Sequence, residues 1–382
     1  MLSGFGMAVL LLPLGLALGW QLHRVMREAP EAQRGTPVSP DYLEGLQYLA
    51  HDDPDRAIAA LTRAVAVDSE TIELHLTLGR LFRKRGEVDR AMRIHQHLLA
   101  RDSLPPEETN QVRLELARDY HEAGLLDRAE GLYAGLLDDG MYMDEALRAL
   151  ISIYEQTQEW QQAEEAAQRL QSVEGRSQAT QIAHYCCEQA QAARGADDAD
   201  TAFAHLERAL KTDPQCVRAS LLLGELHERS GQYRQALRAY EHVPEQDLRF
   251  FPTVLPAIRR VYSAQNDEAG YARYLRAAEK HYDSVQPALA RLRLEAESGK
   301  DVVEELVALC RKRPTWTGLR MLAERRAAQD DLAQMVHEGL ESALQSGPKF
   351  RCESCGLTPR MQFWQCPSCK QWSRVRPVSD RL

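Results

Sequence analysis

A step of 34 residues returns along the middle of this chain. It separates Gly45 from Gly79, Tyr48 from Phe82 and Ala57 from Ala91. It separates Tyr120 from Tyr154, Ala129 from Ala163 and Ala202 from Ala236 as well. Between these sets the step lengthens to 38 or 39, as if a few residues were inserted at "SLPPEE" and near "GRSQAT". A fixed period of this size means that no unit buries its apolar face alone, so the units must stack on their neighbours. Ala, Leu, Arg, Glu and Gln abound, aromatic residues make up only 7%, and β-branched runs bounded by turn residues are hard to find. That mixture favours helices.

The grammar of each unit is that of the tetratricopeptide repeat, two antiparallel helices joined by a tight turn. In "HLTLGRLFRKRGEVDRAMRIHQHLL", Gly79 lets a neighbouring helix approach closely, "RGEV" is the turn, and Ala91 fits where only a small side chain can. "LLLGELHERSGQYRQALRAYEHV" repeats the pattern with Gly224, Ala236 and Tyr240, and Pro214 and Pro314 close other units. About eight units start near residues 41, 75, 113, 147, 186, 220, 255 and 286, with a further helical pair near 316–345 as a cap. The expected fold class is therefore all-α, with a repeat solenoid over residues 41–345. Solenoids of this kind present extended surfaces to peptides or other proteins.

Nothing in the middle of the chain reads as a catalytic centre. GxxxxGK[ST], HExxH and GxSxG are all absent. His95 and His97, two residues apart on a helix, face different ways and read as a solvated pair. Cys186, Cys187, Cys216 and Cys310 read as small buried hydrophobes. Acidic runs such as "HDDPD" and "GADDAD" fall in turns and at helix starts, where carboxylates cap. The formal net charge of −9 is unevenly spread. Residues 349–382 carry seven Lys or Arg against Glu353 and Asp380, so the body of the chain is strongly acidic. That balance argues against broad nucleic-acid binding.

The first 22 residues, "MLSGFGMAVLLLPLGLALGWQL", carry no charge. A helix of that length spans a bilayer core, and Trp20 lies where an interfacial aromatic belongs. Arg24 and Arg27 follow at once, which places what comes after on the cytoplasmic side. No basic residue precedes the apolar run and the context after it is poor for cleavage, so residues 1–22 read as a retained transmembrane anchor rather than a signal peptide. Residues 23–40 read as a juxtamembrane linker.

At the other end, Cys352-x2-Cys355 and Cys366-x2-Cys369 are spaced for one tetrahedral site with four thiolates. Gly356 follows the first pair where a left-handed turn wants glycine, and Pro367 stiffens the second. In a reducing compartment such thiols bind metal rather than pair. Four thiolates leave no open coordination position, which argues against hydrolysis. Zinc and iron both suit the set. A segment of about 30 residues depends on the metal for its folding energy. Phe350, Phe363, Trp364 and Trp372 either form its mini-core or dock it on the solenoid. The expected role is a structural clip that closes one end of the repeat stack. An iron-ribbon electron carrier and a zinc-ribbon nucleic-acid module are the alternatives.

The order of anchor, repeats and "CPSC"-type ribbon resembles the lipopolysaccharide assembly protein B family, over essentially the whole chain. The runs "LHLTLGRLFRKRGEVDRAMRIHQ" and "FRCESCG…WQCPSCKQW" carry the likeness most specifically, while Leu357 and Met361 depart from the usual ribbon pattern. The resemblance implies a regulator rather than an enzyme, sited on the cytoplasmic face of the inner membrane. It implies that Cys352, Cys355, Cys366 and Cys369, over residues 349–377, form a rubredoxin-like site for one metal ion. It also implies partners: a membrane-anchored ATP-dependent zinc protease, the deacetylase that commits lipid A synthesis, and other lipopolysaccharide assembly proteins. No nucleic acid is expected.

Overall fold

The computed structural model describes residues 40–51, 53–67, 71–101, 104–327 and 330–380. The apolar segment expected to be the anchor, and the linker up to residue 39, lie outside them. No helix among the described residues is long and apolar enough to cross a membrane. The chain divides into two compact units, Met1–Leu132 and Tyr133–Leu382.

The first unit holds α1 (Pro40–Ala50), α2 (Pro54–Val67), α3 (Ile72–Lys84), α4 (Val88–Leu99) and α5 (Pro106–Glu122), and the division falls inside α6 (Leu126–Asp138). The second unit continues with α7 (Met143–Thr157), α8 (Trp160–Glu174), α9 (Ala179–Gly195), α10 (Ala199–Thr212), α11 (Val217–Arg229) and α12 (Tyr233–Gln246). A 3-10 turn, Leu248–Phe250, leads into α13 (Phe251–Ala264), α14 (Glu268–His281), α15 (Gln286–Glu297), α16 (Val303–Lys312), α17 (Trp316–Arg326) and α18 (Asp331–Ser346).

In most of the described pairs, the turn between the two helices passes through one left-handed residue. It is Gly86, Gly124 or Gly231 (φ +80°, +73° and +69°) in three of the pairs, and Asp197 or Asn266 (φ 61° and 55°) in two others. These are the residue types that tolerate that conformation. Where the turn enters the second helix, Asp198 accepts from Thr201 N–H at 3.0 Å and Asp267 from Gly270 N–H at 2.7 Å. Both acids act as caps, satisfying amides the helix start leaves open.

The helical glycines explain how the pairs close. An ideal Cβ on Gly45 would lie 2.6 Å from Leu61, one on Gly79 2.3 Å from His95, and one on Gly224 2.3 Å from Tyr240. In each case the occupant stands sixteen residues later, on the partner helix. A missing side chain on one helix is thus the socket for a large one on the next. Ala57, Ala91, Ala129, Ala163, Ala202 and Ala236 are all buried to within 1%.

His95 corrects the sequence reading. It is not one of a solvated pair: it is fully buried, while His97 is exposed. Its Nδ1 lies 2.5 Å from Asp119 Oδ2 on α5. Asp119 also accepts from Arg83 Nη1 at 2.6 Å, and Arg83 reaches Glu115 Oε2 at 2.5 Å. Arg80 and Arg118 complete the set around Glu115, at 2.8 Å and 2.5 Å. Burial works against the charges on Arg83 and Glu115, but their mutual bonding prevails, raising the pKa of the first and lowering that of the second. The histidine sits at the socket position of its repeat, which is why it went inside. The four isolated cysteines, Cys186, Cys187, Cys216 and Cys310, are buried as expected.

Candidate metal centre

Beyond α18 the chain forms a two-stranded antiparallel ribbon, β1 (Phe350–Cys352) against β2 (Val375–Pro377), with Phe350 opposite Pro377 and Cys352 opposite Val375. Each CxxC is a tight turn closed by a backbone bond. Gly356 N–H donates to Cys352 C=O at 3.0 Å, and Lys370 N–H to Cys366 C=O at 2.8 Å. Gly356 takes the left-handed conformation (φ +79°), and Lys370 takes it in the second turn (φ 58°) without the help of glycine.

The two turns bring the four sulfurs together, all within 4.8 Å of one another. Cys352 Sγ lies 3.7 Å from Cys369 Sγ, and Cys355 Sγ lies 3.6 Å from Cys366 Sγ. A tetrahedral ion with metal–sulfur bonds of about 2.3 Å has sulfur–sulfur edges of roughly 3.8 Å. These two edges match such an ion, and no sulfur lies more than 4.8 Å from another. The Leu357 backbone N–H pulls the Cys355 thiol down to about 6, toward the thiolate form that binds metal. Burial pushes Cys366 up to about 11, a cost that a cation among the sulfurs would reverse.

The four aromatic residues divide between the two tasks left open by the sequence. Phe350 and Phe363 pack with Leu357 around buried Cys352, Cys366 and Val375, forming the ribbon's own core. Trp364 and Trp372 face the repeats instead. Trp364 stacks on Phe250 (centroids 5.7 Å apart, 16° between planes). Trp372 stacks on His184 at 4.8 Å and meets Trp160 and Tyr185 edge-on.

Polar groups complete the docking. Glu155 on α7 accepts from Trp372 Nε1 at 2.7 Å, from Gln365 Nε2 at 2.8 Å and from the Tyr185 hydroxyl at 2.6 Å. His184 Nε2 shares a 2.6 Å hydrogen bond with Ser373 Oγ. Burial, with Arg218 and Arg376 adding to it, holds the His184 imidazole well below its ordinary pKa, so it is neutral. Arg376 pairs with Asp247 at 3.2 Å, and Arg249 pairs with Glu353 of the first CxxC turn. Past β2, Asp380 accepts from the Thr317 backbone N–H and from Gln286 Nε2, at 3.1 Å and 3.2 Å.

This arrangement corrects the expected end cap. The ribbon does not close the end of the stack. It folds back along the second unit, from α7 and α9 past the 3-10 turn to α15 and α17. Sequence reasoning named none of Glu155, His184 or Tyr185. No local pattern marks them, because the groups they serve stand about two hundred residues further on.

The tetratricopeptide repeat family model matches residues 48–107 and 193–252, and the rubredoxin metal binding domain model matches residues 350–377. Lipopolysaccharide assembly protein B of Escherichia coli (strain K12) is 32% identical over 378 residues, covering 97% of each chain. The protein of the same name from Haemophilus influenzae is 32% identical over 390 residues, covering 97% of this chain and 98% of its own. A likeness at this level, running from the first repeat through the four-cysteine ribbon, places the chain in the lipopolysaccharide assembly protein B family.

Proposed function

We propose that this protein is a membrane-tethered adaptor in lipopolysaccharide assembly, and not an enzyme. Residues 1–22 anchor it in the inner membrane, residues 23–40 link the anchor to the repeats over 41–345, and the ribbon over 349–377 lies in the cytoplasm. Cys352, Cys355, Cys366 and Cys369 hold one metal ion, iron or zinc. Such an ion supplies folding energy to a segment too small to fold alone, and leaves no coordination position for a substrate. The repeats hold the deacetylase that commits lipid A synthesis, and the anchor keeps that client beside a membrane-anchored ATP-dependent zinc protease, whose turnover of it sets lipopolysaccharide level. Other lipopolysaccharide assembly proteins dock on the same scaffold. Tethering achieves this through effective concentration rather than high affinity.

The observation that carries the reading is the full-length likeness to proteins named for lipopolysaccharide assembly. The chemistry of the chain supports it: four clustered cysteines would fill every coordination position of one tetrahedral ion. The test is the half-life of the deacetylase in cells carrying the intact chain, a chain lacking residues 1–22, or Cys352→Ser/Cys355→Ser. The expected result is slowed, protease-dependent turnover in both variants. An unchanged half-life when the whole chain is absent would refute the adaptor reading.

A further inference from the structure

We propose that Glu155 is the positioning residue that ties metal retention in the ribbon to the order of the repeats. By gripping the second CxxC turn it slows metal loss, and metal loss in turn releases the ribbon from α7 and α9. The inference rests on the reading that the four cysteines hold a metal.

The geometry singles out the second turn. Gln365 immediately precedes Cys366, and Trp372 follows Cys369 by three residues. The two pair as an antiparallel bridge at the base of the turn. Inside it, Cys366 N–H donates to Gln371 C=O at 2.9 Å. Both residues of the bridge donate to a single carboxylate, Trp372 to Oε1 and Gln365 to Oε2 of Glu155. That carboxylate is held from the repeat side by the Tyr185 hydroxyl. The base of the turn can open only if these bonds break. Because Trp372 is 7% exposed, opening would strand its indole N–H away from water.

The first turn is held differently. Its contact with the repeats is the pair between Glu353 and Arg249, whose side chains are 43% and 47% exposed. Exposed pairs of that kind contribute little. Cys366 and Cys369 are thus fastened to the stack by two part-buried bonds to one carboxylate, while Cys352 and Cys355 are not. Linkage makes the effect reciprocal: whatever docking adds to metal affinity, metal adds to docking. Without metal the ribbon has too little core to stay folded, so Gln365 and Trp372 lose their fixed spacing and Glu155 loses two of its three donors.

The test uses the full-length chain in detergent, loaded with zinc(II) and challenged with excess chelator, with zinc release followed by a colorimetric indicator. Loss of two hydrogen bonds to a charged group corresponds to a release rate about tenfold faster or more in Glu155→Ala. Trp372→Phe, which keeps a ring and drops the donor, should fall between wild type and Glu155→Ala, and Glu155→Gln should be partly rescued. The control is Glu228→Ala. Glu228 accepts from the Tyr240 hydroxyl at 2.8 Å and from Arg260, a comparable carboxylate whose hydrogen bonds involve no ribbon residue. It should release zinc at the wild-type rate.

The second readout is hydrogen exchange. Removing zinc from the wild-type chain should raise exchange in α7 and α9, and Glu155→Ala with zinc bound should reproduce part of that rise. Zinc release at the wild-type rate in both Glu155→Ala and Trp372→Phe would overturn the inference. So would unchanged exchange in α7 and α9 on zinc removal. A wild-type chain that takes up no metal would overturn the metal reading itself, a result distinct from metal bound but uncoupled.

Discussion

Replacing Gly224 by alanine tests the socket rule of the repeats most sharply. Alanine is the better helix former by about 1 kcal/mol, so propensity alone predicts stabilisation. The structure predicts the opposite. The new Cβ would lie 2.3 Å from Cε1, 2.5 Å from Cδ1 and 2.8 Å from Cζ of Tyr240. That ring is 1% exposed, and its hydroxyl is bound to Glu228 Oε2 at 2.8 Å, so it cannot swing aside without losing both packing and hydrogen bond. Overpacking of a tight interior costs about 1–3 kcal/mol, and a contact this short lies at the upper end. We expect a net loss of about 1–2 kcal/mol after the propensity gain is set against it. Gly339 in α18 supplies the control, since a Cβ there meets nothing within 4 Å. Gly339→Ala should gain about 0.5–1 kcal/mol. Repeat arrays unfold piecewise, so the assay is amide exchange resolved to α11 and α12 for the first variant and to α18 for the second. Equal or greater protection of α11 and α12 in Gly224→Ala would refute the reasoning.

Asp119→Ala should be among the most damaging changes in the first unit, because it leaves Arg83 and His95 short of a partner in a buried site. The expected cost is about 3–5 kcal/mol, read as lost exchange protection in α3, α4 and α5. Trp364→Ala removes the ring stacked on Phe250 and should weaken docking by about 2–4 kcal/mol, seen as faster proteolysis in the segment between α18 and β1. His184 predicts a pH dependence. Its unfolded imidazole takes a proton near 6.5, while the buried one does so only well below that. The stability it contributes is therefore complete above about pH 6.5 and is lost as pH falls below it. The measurement is the difference in thermal midpoint between wild type and His184→Asn at pH 7 and pH 5. That difference should shrink at the lower pH.

The parts of the fold that were legible in the sequence are those whose physics is local. Gly45, Gly79 and Gly224 recur at one register because a close helix crossing needs an absent side chain, and that need leaves a mark at the residue itself. The CxxC pairs are legible for the same reason: a tight turn fixes sulfur spacing within four residues. His95 was misread because a histidine carries no local sign of burial. What sends it inside is Asp119, one repeat further on, together with the empty space above Gly79. That the ribbon docks was an open alternative, but where it docks and through which aromatics was not legible. Trp364 and Phe363 are adjacent and both aromatic, yet one faces Phe250 and the other faces the cysteines, and only the three-dimensional path decides which.

The path also sets a timetable. Ser373 and Trp372 meet partners 189 and 217 residues upstream. At ordinary synthesis rates a ribosome needs roughly 10–40 s to make the intervening chain. Throughout that interval α7, α8 and α9 can pair with one another, since their contacts are near in sequence, but Trp160, Tyr185 and Glu155 stay uncovered. A newly made copy therefore shows this face to the cell until its final segment emerges and, on the coupling proposed above, takes up metal. Metal supply would then set how long each young chain remains a target for chaperones and proteases.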